Sequence, residues 1–242
     1  MKIVSAHQPH YLPWIGYLNK IALSSVFMLM DSLEFTRHSY INRNRIIIQR
    51  QPKWISLPVN YSAGSKQKIK DLRLSGDVKK VLRHHVNTIK NNYQRCRGFQ
   101  TFFPGLEFVM GKEYKFLFDL DFEILQYLLS YLEIKTPVVL QSEKKVNGKK
   151  EDSLITSIVH SVDANHILLG LGKSNEYIHA EKIEDQHIKI LTQKFSHPIY
   201  SQSTSSFAKG ISSLDMLMHV PREKAIYLVL HAGGVQKRRN KN

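Results

Sequence analysis

Cysteine, acidic residues and long apolar runs are all scarce in this chain, and each shortage excludes a class of protein. One cysteine, Cys96, in 242 residues rules out an internal disulfide and any zinc site built on thiolates, and fits a reducing cytoplasm. Arg95 and Arg97 flank it and would lower its pKa, but no fitted base accompanies it, so it reads as incidental rather than nucleophilic. No run reaches the roughly 18–20 apolar residues that span a bilayer. Met1-Lys2 leads straight into a strand pattern instead of a signal segment, and a cytoplasmic protein is expected. A P-loop, a serine nucleophile elbow and zinc-finger spacing are all missing. The twelve histidines include no helical i, i+4 pair with an intervening Glu and no tight cluster with Asp, so no metal site is expected. Gly170-x-Gly172 lacks the third glycine and following acid of a dinucleotide fingerprint. No internal repeat is visible.

The shortage of acids leaves 35 Lys and Arg against 20 Asp and Glu, a net charge of +15. Such an excess favours anionic partners: nucleic acid, nucleotide-linked substrates or an acidic membrane surface. Part of it lies in Gln236-Lys-Arg-Arg-Asn-Lys-Asn242, which reads as a basic disordered tail. Hydrophobic residues at 42% are enough for a real core.

The stretch that organises the chain is its start. Ile3 to Ala6 reads as a buried strand that runs into His7 and Gln8, is punctuated by Pro9 and Pro13, and becomes apolar at helical spacing through Trp14, Tyr17, Leu18 and Ile21. A loop between strand and helix lies at the strand's carboxyl end, where open α/β sheets bind ligands. The helix amino terminus behind it suits a phosphate or carboxylate. Ser25 to Met30 reads as a second buried strand ending at Asp31. A parallel β-α-β unit then brings His7, Gln8 and Asp31 to one rim.

Arg37-His-Ser-Tyr-Ile-Asn-Arg-Asn-Arg45 packs arginines and asparagines more densely than a solubilising turn requires, and arginine is suited to bidentate phosphate or carboxylate recognition. Trp54 to Val59 reads as another strand, with Pro58 at its edge. Helices are expected over about Asp77–Arg95 and Glu113–Leu132, with Phe99 to Phe108 an aromatic loop between them and Asp119, Asp121 and Glu123 mostly on the outer side. Strands follow at Pro137–Leu140, His166–Gly172 and Ile188–Leu191. Lys149 or Lys150, ahead of a helix over about Asp152–Val162, is a candidate anion clamp. Lys173 to Tyr177 opens a further helix, Ser196 to Gln202 is a polar loop, and Ser212 caps the helix that follows. These elements imply an open, mostly parallel Rossmann-like α/β sheet flanked by helices. A single domain over residues 1–235 is expected, mainly helical inserted at about 75–135, with the tail at 236–242.

His7-Gln-Pro-x-Tyr-Leu-Pro-Trp-x-Gly-Tyr17 with Lys20 resembles the opening signature of the WbqC-like family of bacterial proteins. The resemblance continues through Asp31, Phe35-x-Arg-x-x-Tyr-x-Asn-Arg-Asn-Arg-Ile46, and Trp54 to Pro58. It returns at Gly148-x-Lys150, Leu168 to Gly170, Tyr177, His197-Pro-x-Tyr-x-Gln202 and Ser212-x-x-Asp215-Met-Leu217. It implies glycine or other aminoacyl transfer in O-antigen and surface-polysaccharide biosynthesis. The opening is also loosely similar to the strand–His-loop–helix start of nucleotidylyl transferases and of ligases such as pantothenate synthetase, although Tyr17 stands where their second histidine belongs.

The resemblance and the residues together point to an acyl or aminoacyl transferase, or an ATP-dependent amide-forming ligase, acting on a nucleotide-linked amino sugar. His7 is expected as general base or phosphate contact, and Asp31 as the group that orients or deprotonates the amine. Substrate contacts are expected from Gln8, Tyr11, Trp14, Lys20, Arg37, Asn42, Arg43, Asn44, Arg45, Lys150, Ser174, Tyr177 and His197. ATP and an aminoacyl donor such as aminoacyl-tRNA both stay open. The rival is a basic protein that binds nucleic acid or nucleotides without turnover; a lapsed enzyme that stabilises a polysaccharide assembly is a third.

Overall fold

The computed structural model describes residues 1–62, 64–144, 146, 151–170, 180–184 and 186–237. The first unit is the expected one: β1 (Ile3–His7), α1 (Ile15–Ala22) and β2 (Val26–Leu29), with the strands parallel and His7 level with Leu29. Both strands alternate between two apolar layers, which is why they read as continuous hydrophobic runs. Phe27 and Leu29 face the core that holds Leu18 and Ile21 of α1, while Val4 and Met28 face a second core containing Ile155, Ile158 and Val159. Those last residues belong to α5 (Glu151–Ser161), so helices cover both faces of the sheet.

Three further parallel strands join the first two: β5 (Val138–Leu140), β6 (His166–Leu169) and β7 (Lys189–Phe195). A last strand, β8 (Gly233–Lys237), runs antiparallel along β7. The order across the sheet is β5-β2-β1-β6-β7-β8. The chain therefore builds outward from β1 to one side, then returns to lay β6 on the other. The gap between β1 and β6 is the switch point at which doubly wound sheets bind ligands.

Beyond this mostly parallel α/β sheet, several elements differ from expectation. The Trp54 strand is β4 (Gln51–Ser56), paired only with β3 (Arg43–Ile48) in an antiparallel hairpin outside the main sheet. Its turn, Gln49-Arg50, has positive φ at both residues (51° and 63°), a left-handed geometry that Asn-Gly pairs normally signal. Phe99 to Phe108 is not a loop but lies in α3 (Phe99–Met110), between α2 (Val78–Tyr93) and α4 (Leu117–Tyr131). Pro104 inside it suggests a break, yet Phe99, Phe102, Phe103, Leu106, Val109 and Met110 all bury on helical spacing, and that burial outweighs one lost backbone bond.

Asp121 is not on the outer side of α4; it is buried with Leu120 and Ile124 because this helix is covered over a wide arc. The expected helix from Lys173 falls outside the described residues, and α6 is Ala180–Glu184. After α7 (Ser213–His219), capped by Ser212 as expected, come α8 (Arg222–Leu230) and β8, neither anticipated. Gln236 and Lys237, assigned to the tail, belong to β8, where backbone pairing with Leu191 and Thr192 holds them. No helix among the described residues is long and apolar enough to cross a membrane.

Candidate active site

At the switch point a crevice of about 390 Å3 opens, lined by His7, Gln8, Lys20, Met30, Leu154 and Gly170 among others. A larger groove, about 720 Å3, lies along Asp152, Thr156 and His160, on the side of α5 opposite its buried Ile155 and Ile158. The crevice gathers the reactive groups. Strand β1 ends at His7, whose carbonyl accepts from Met30 N at 2.9 Å, so the ends of β1 and β2 lie side by side. Lys20 reaches back from α1 and its Nζ donates to the Ala6 carbonyl at 3.0 Å.

Two physical effects set the charge state here. His7 is held down at about 4, first by desolvation and then by the Lys20 charge. Lys20, nearly enclosed, is pushed down to about 8 by burial. The His7 Nδ1 lies 3.1 Å from the Gln8 carbonyl; a carbonyl only accepts, so Nδ1 carries the proton and the Nε2 lone pair is left for a substrate. At neutral pH the site offers a neutral imidazole beside a cation whose proton is loosely held.

Sequence reasoning missed what surrounds His7. His10, three residues on past Pro9, sets its ring edge-on to His7 with centroids 4.7 Å apart and stacks on Tyr17 at 5.0 Å. The Tyr17 hydroxyl donates to the Gln8 carbonyl. Burial holds His10 well below the ordinary imidazole range, and its Nδ1 has no hydrogen-bond partner. The His7/His10 spacing around a proline was the available signal. Asp121 is also enclosed with both carboxylate oxygens unpartnered. Burial pushes its carboxyl well up, and the Tyr11 and Tyr17 hydroxyls are raised by burial and by its charge.

The remaining expected residues divide by what they touch. Asp31 stands at the rim but its oxygens are taken: Oδ1 accepts from Ser142 N at 2.9 Å and Oδ2 from Ser142 Oγ at 2.5 Å. It caps the short turn Gln141–Glu143. Tyr11 is fully buried and hydrogen-bonds His85 Nδ1 at 2.9 Å. Asn44, also fully buried, donates to the Tyr11 and Leu12 carbonyls and holds the loop where Leu12 takes φ 47°. Asn42 donates to the Leu57 carbonyl. Trp14 lies over Gly16, where a Cβ would meet its ring carbons at 2.2–2.7 Å, and meets Phe195 edge-on at 5.0 Å.

His197 sits between Phe195 and Phe207 with its Nε2 buried and unpartnered, and burial lowers its pKa. Arg43 and Arg45 flank Trp54 on the hairpin, and Arg37 lies over Tyr61. Lys150, Ser174 and Tyr177 lie outside the described residues. Burial raises the Cys96 thiol, opposite to what its flanking arginines suggested. No group of three or more His, Cys, Asp or Glu suited to a metal ion occurs among the described residues.

The model of the WbqC-like protein family matches residues 8–227. The chain belongs to the WbqC-like protein family. The match begins at Gln8, in the crevice, and takes in the hairpin, the helices α2–α4 and the loop around His197. One similar protein is the uncharacterized protein Rv1507c of Mycobacterium tuberculosis, 26% identical over 231 residues, covering 94% of this chain and 98% of that one. No solved structure matches this WbqC-like chain.

Proposed function

We propose that this WbqC-like protein is a transferase that joins an acyl group, glycyl or another aminoacyl, to the amine of a nucleotide-linked amino sugar for bacterial surface polysaccharide. The observation that carries the reading is the pairing in one crevice of a neutral His7, its Nε2 free, with the buried Lys20 cation. An amine attacking an acyl carbonyl must lose a proton, and the developing oxyanion needs positive charge nearby. His7 accepts the amine proton and Lys20 stabilises the oxyanion; collapse of the tetrahedral intermediate then breaks the bond from the acyl carbon to the donor's activating group, which leaves taking the proton from His7. A bound anion beside His7 raises its basicity toward the useful range. Asp31 serves as the cap that keeps the Ser142 turn at the rim, and Gln8 orients the sugar. Arg43 and Arg45 hold anionic parts of the substrate.

A second reading, binding of nucleic acid or nucleotides without turnover, draws on the net charge, but buried reactive groups of shifted pKa are more characteristic of catalysis than of a phosphate-binding surface. Calorimetry with amino-sugar nucleotides, together with transfer of labelled glycine from an activated donor, tests the choice. Wild type is expected to bind and transfer, and His7→Ala to bind without transferring. Transfer that survives His7→Ala removes the proposed role of the crevice.

A further inference from the structure

The β3–β4 hairpin lies in a long basic stretch of the chain. Between Glu34 and Asp71 there is no Asp or Glu, while Arg37, Arg43, Arg45, Arg50 and Lys53 fall within it, followed by three lysines. Three cations elsewhere pair with carboxylates: Lys79 with Glu113, Lys112 with Glu123, Arg222 with Glu133. Among the described residues none of these five cations has a carboxylate partner.

Two of them are instead positioned by other means. Arg43 Nη2 donates to the His38 carbonyl at 2.8 Å and Arg45 Nη2 to the Gly210 carbonyl at 3.3 Å, while the Nε of each is buried without a partner. Both guanidinium groups lie over the Trp54 indole, at 4.3 and 5.7 Å from its centroid. Yet Trp54 is 44% exposed, one of the few large hydrophobic side chains so open. Register explains the grouping: Arg45 pairs directly with Trp54 and Arg43 with Ser56, on one face of the hairpin. Beside it, Arg43 and Arg37 line a hollow of about 250 Å3 with His38 and Tyr61.

An open indole bordered by unpaired guanidinium groups fits a flat ring that carries a phosphate, since the ring stacks and the phosphate takes the cations. The hairpin is also joined to the crevice by ring contacts: Trp54 to Tyr40 at 5.5 Å, Tyr40 to His10 at 5.7 Å, His10 to His7 at 4.7 Å. We propose that Trp54, Arg43 and Arg45 form a nucleoside-phosphate subsite, stacking the base on the indole and binding its phosphate on the arginines, so that the remainder of the ligand extends along Tyr40 and His10 to His7. This rests on the transferase reading only for what the ligand does next; the binding itself needs no turnover.

The test uses Trp54 as its own reporter. In the full chain carrying Trp14→Phe, Trp54 is the one remaining tryptophan, and its emission is titrated with uridine and adenosine diphosphates, with inorganic phosphate, and with an RNA hairpin bearing a single-stranded 3′ end. Saturable quenching by a nucleoside diphosphate is expected, with inorganic phosphate far weaker. By calorimetry in the natural background, Trp54→Ala should weaken binding roughly five- to a hundredfold, the range for loss of one stacked base. Arg43→Gln and Arg45→Gln should each weaken it roughly tenfold, as for loss of a charged hydrogen bond. Quenching by the RNA end, competed by the diphosphate, would support the same subsite and name a polynucleotide as its source.

Absence of a Trp54 response to every nucleotide probe, or calorimetric binding unaffected by Trp54→Ala, overturns the subsite. His7→Ala separates the two readings. Quenching retained with transfer lost supports both. Quenching by wild type and His7→Ala alike, with no transfer by wild type, leaves the subsite standing and removes the enzyme.

Discussion

The crevice and the hairpin are both basic and both lined by rings, yet their chemistry is set in opposite ways. In the crevice, burial does the work: desolvation lowers His7 to about 4 and Lys20 to about 8. In the hairpin the guanidinium groups of Arg43 and Arg45 border an exposed indole and, among the described residues, have no carboxylate partner. In the reading proposed above, the first arrangement moves protons and the second holds anions. A folded chain can place both within one line of aromatic contacts because β1 ends in the core while β3 and β4 project outside the main sheet.

The difference can be broken or sharpened by substitution, beginning with the largest effect. His7→Ala should lower transfer by about 10²–10⁴-fold, the usual contribution of a positioned acid–base group, with the melting temperature little changed; an unaltered turnover number would end the distinction between the two regions. Asp31→Ala should destabilise the fold by about 2 kcal/mol, since Ser142 loses a charged acceptor for two donors. Urea unfolding measures this, and an unchanged midpoint would free Asp31 for a chemical role.

Acidification probes the buried imidazoles, those at the crevice and His85 beside Tyr11. His7 and His85 are each held at about 4, and His10 is also lowered. Near 6.5 the unfolded chain takes up protons that the folded chain refuses, so stability present at neutral pH declines as pH falls from about 6.5 toward 4. Urea midpoints between pH 7.5 and 5 should show that slope, and His7→Gln with His10→Gln should flatten it. Lys20→Met should raise stability at pH 7 by ~1 kcal/mol while abolishing turnover, because a buried ammonium costs more than its one carbonyl bond returns; a loss of stability would mean that Lys20 holds the loop. The smallest effect belongs to the hairpin. Arg43→Gln and Arg45→Gln should change stability by less than about 0.5 kcal/mol, detectable only as weaker anion binding.

Much of the architecture was legible because it rests on local pattern. Buried parallel strands read as apolar runs, and the polar residues that end them, His7 and Asp31, marked the strand ends where they lie. Other features were hidden for identifiable reasons. Pro104 disguised a helix whose burial overrides propensity. The Gln49-Arg50 turn uses residues that do not advertise positive φ. Gly233 to Lys237 has little strand character and pairs because β7 presents an open edge. Asp121 looked solvated because helical spacing tells which residues share a face, not how wide an arc neighbours will cover.

By itself the sequence determined the parallel unit of β1, α1 and β2, the excess of positive charge, and the dense arginines and asparagines after Asp31, since composition and short-range periodicity contain these. Only the tertiary structure decided which polar residues are free to act. It tied Asp31 to Ser142 and Asn44 to the Tyr11–Leu12 loop, enclosed Lys20 behind β1, and set His10 against His7. Each of those outcomes depends on contacts between distant segments, and desolvation and hydrogen-bond occupancy exist only once those segments meet.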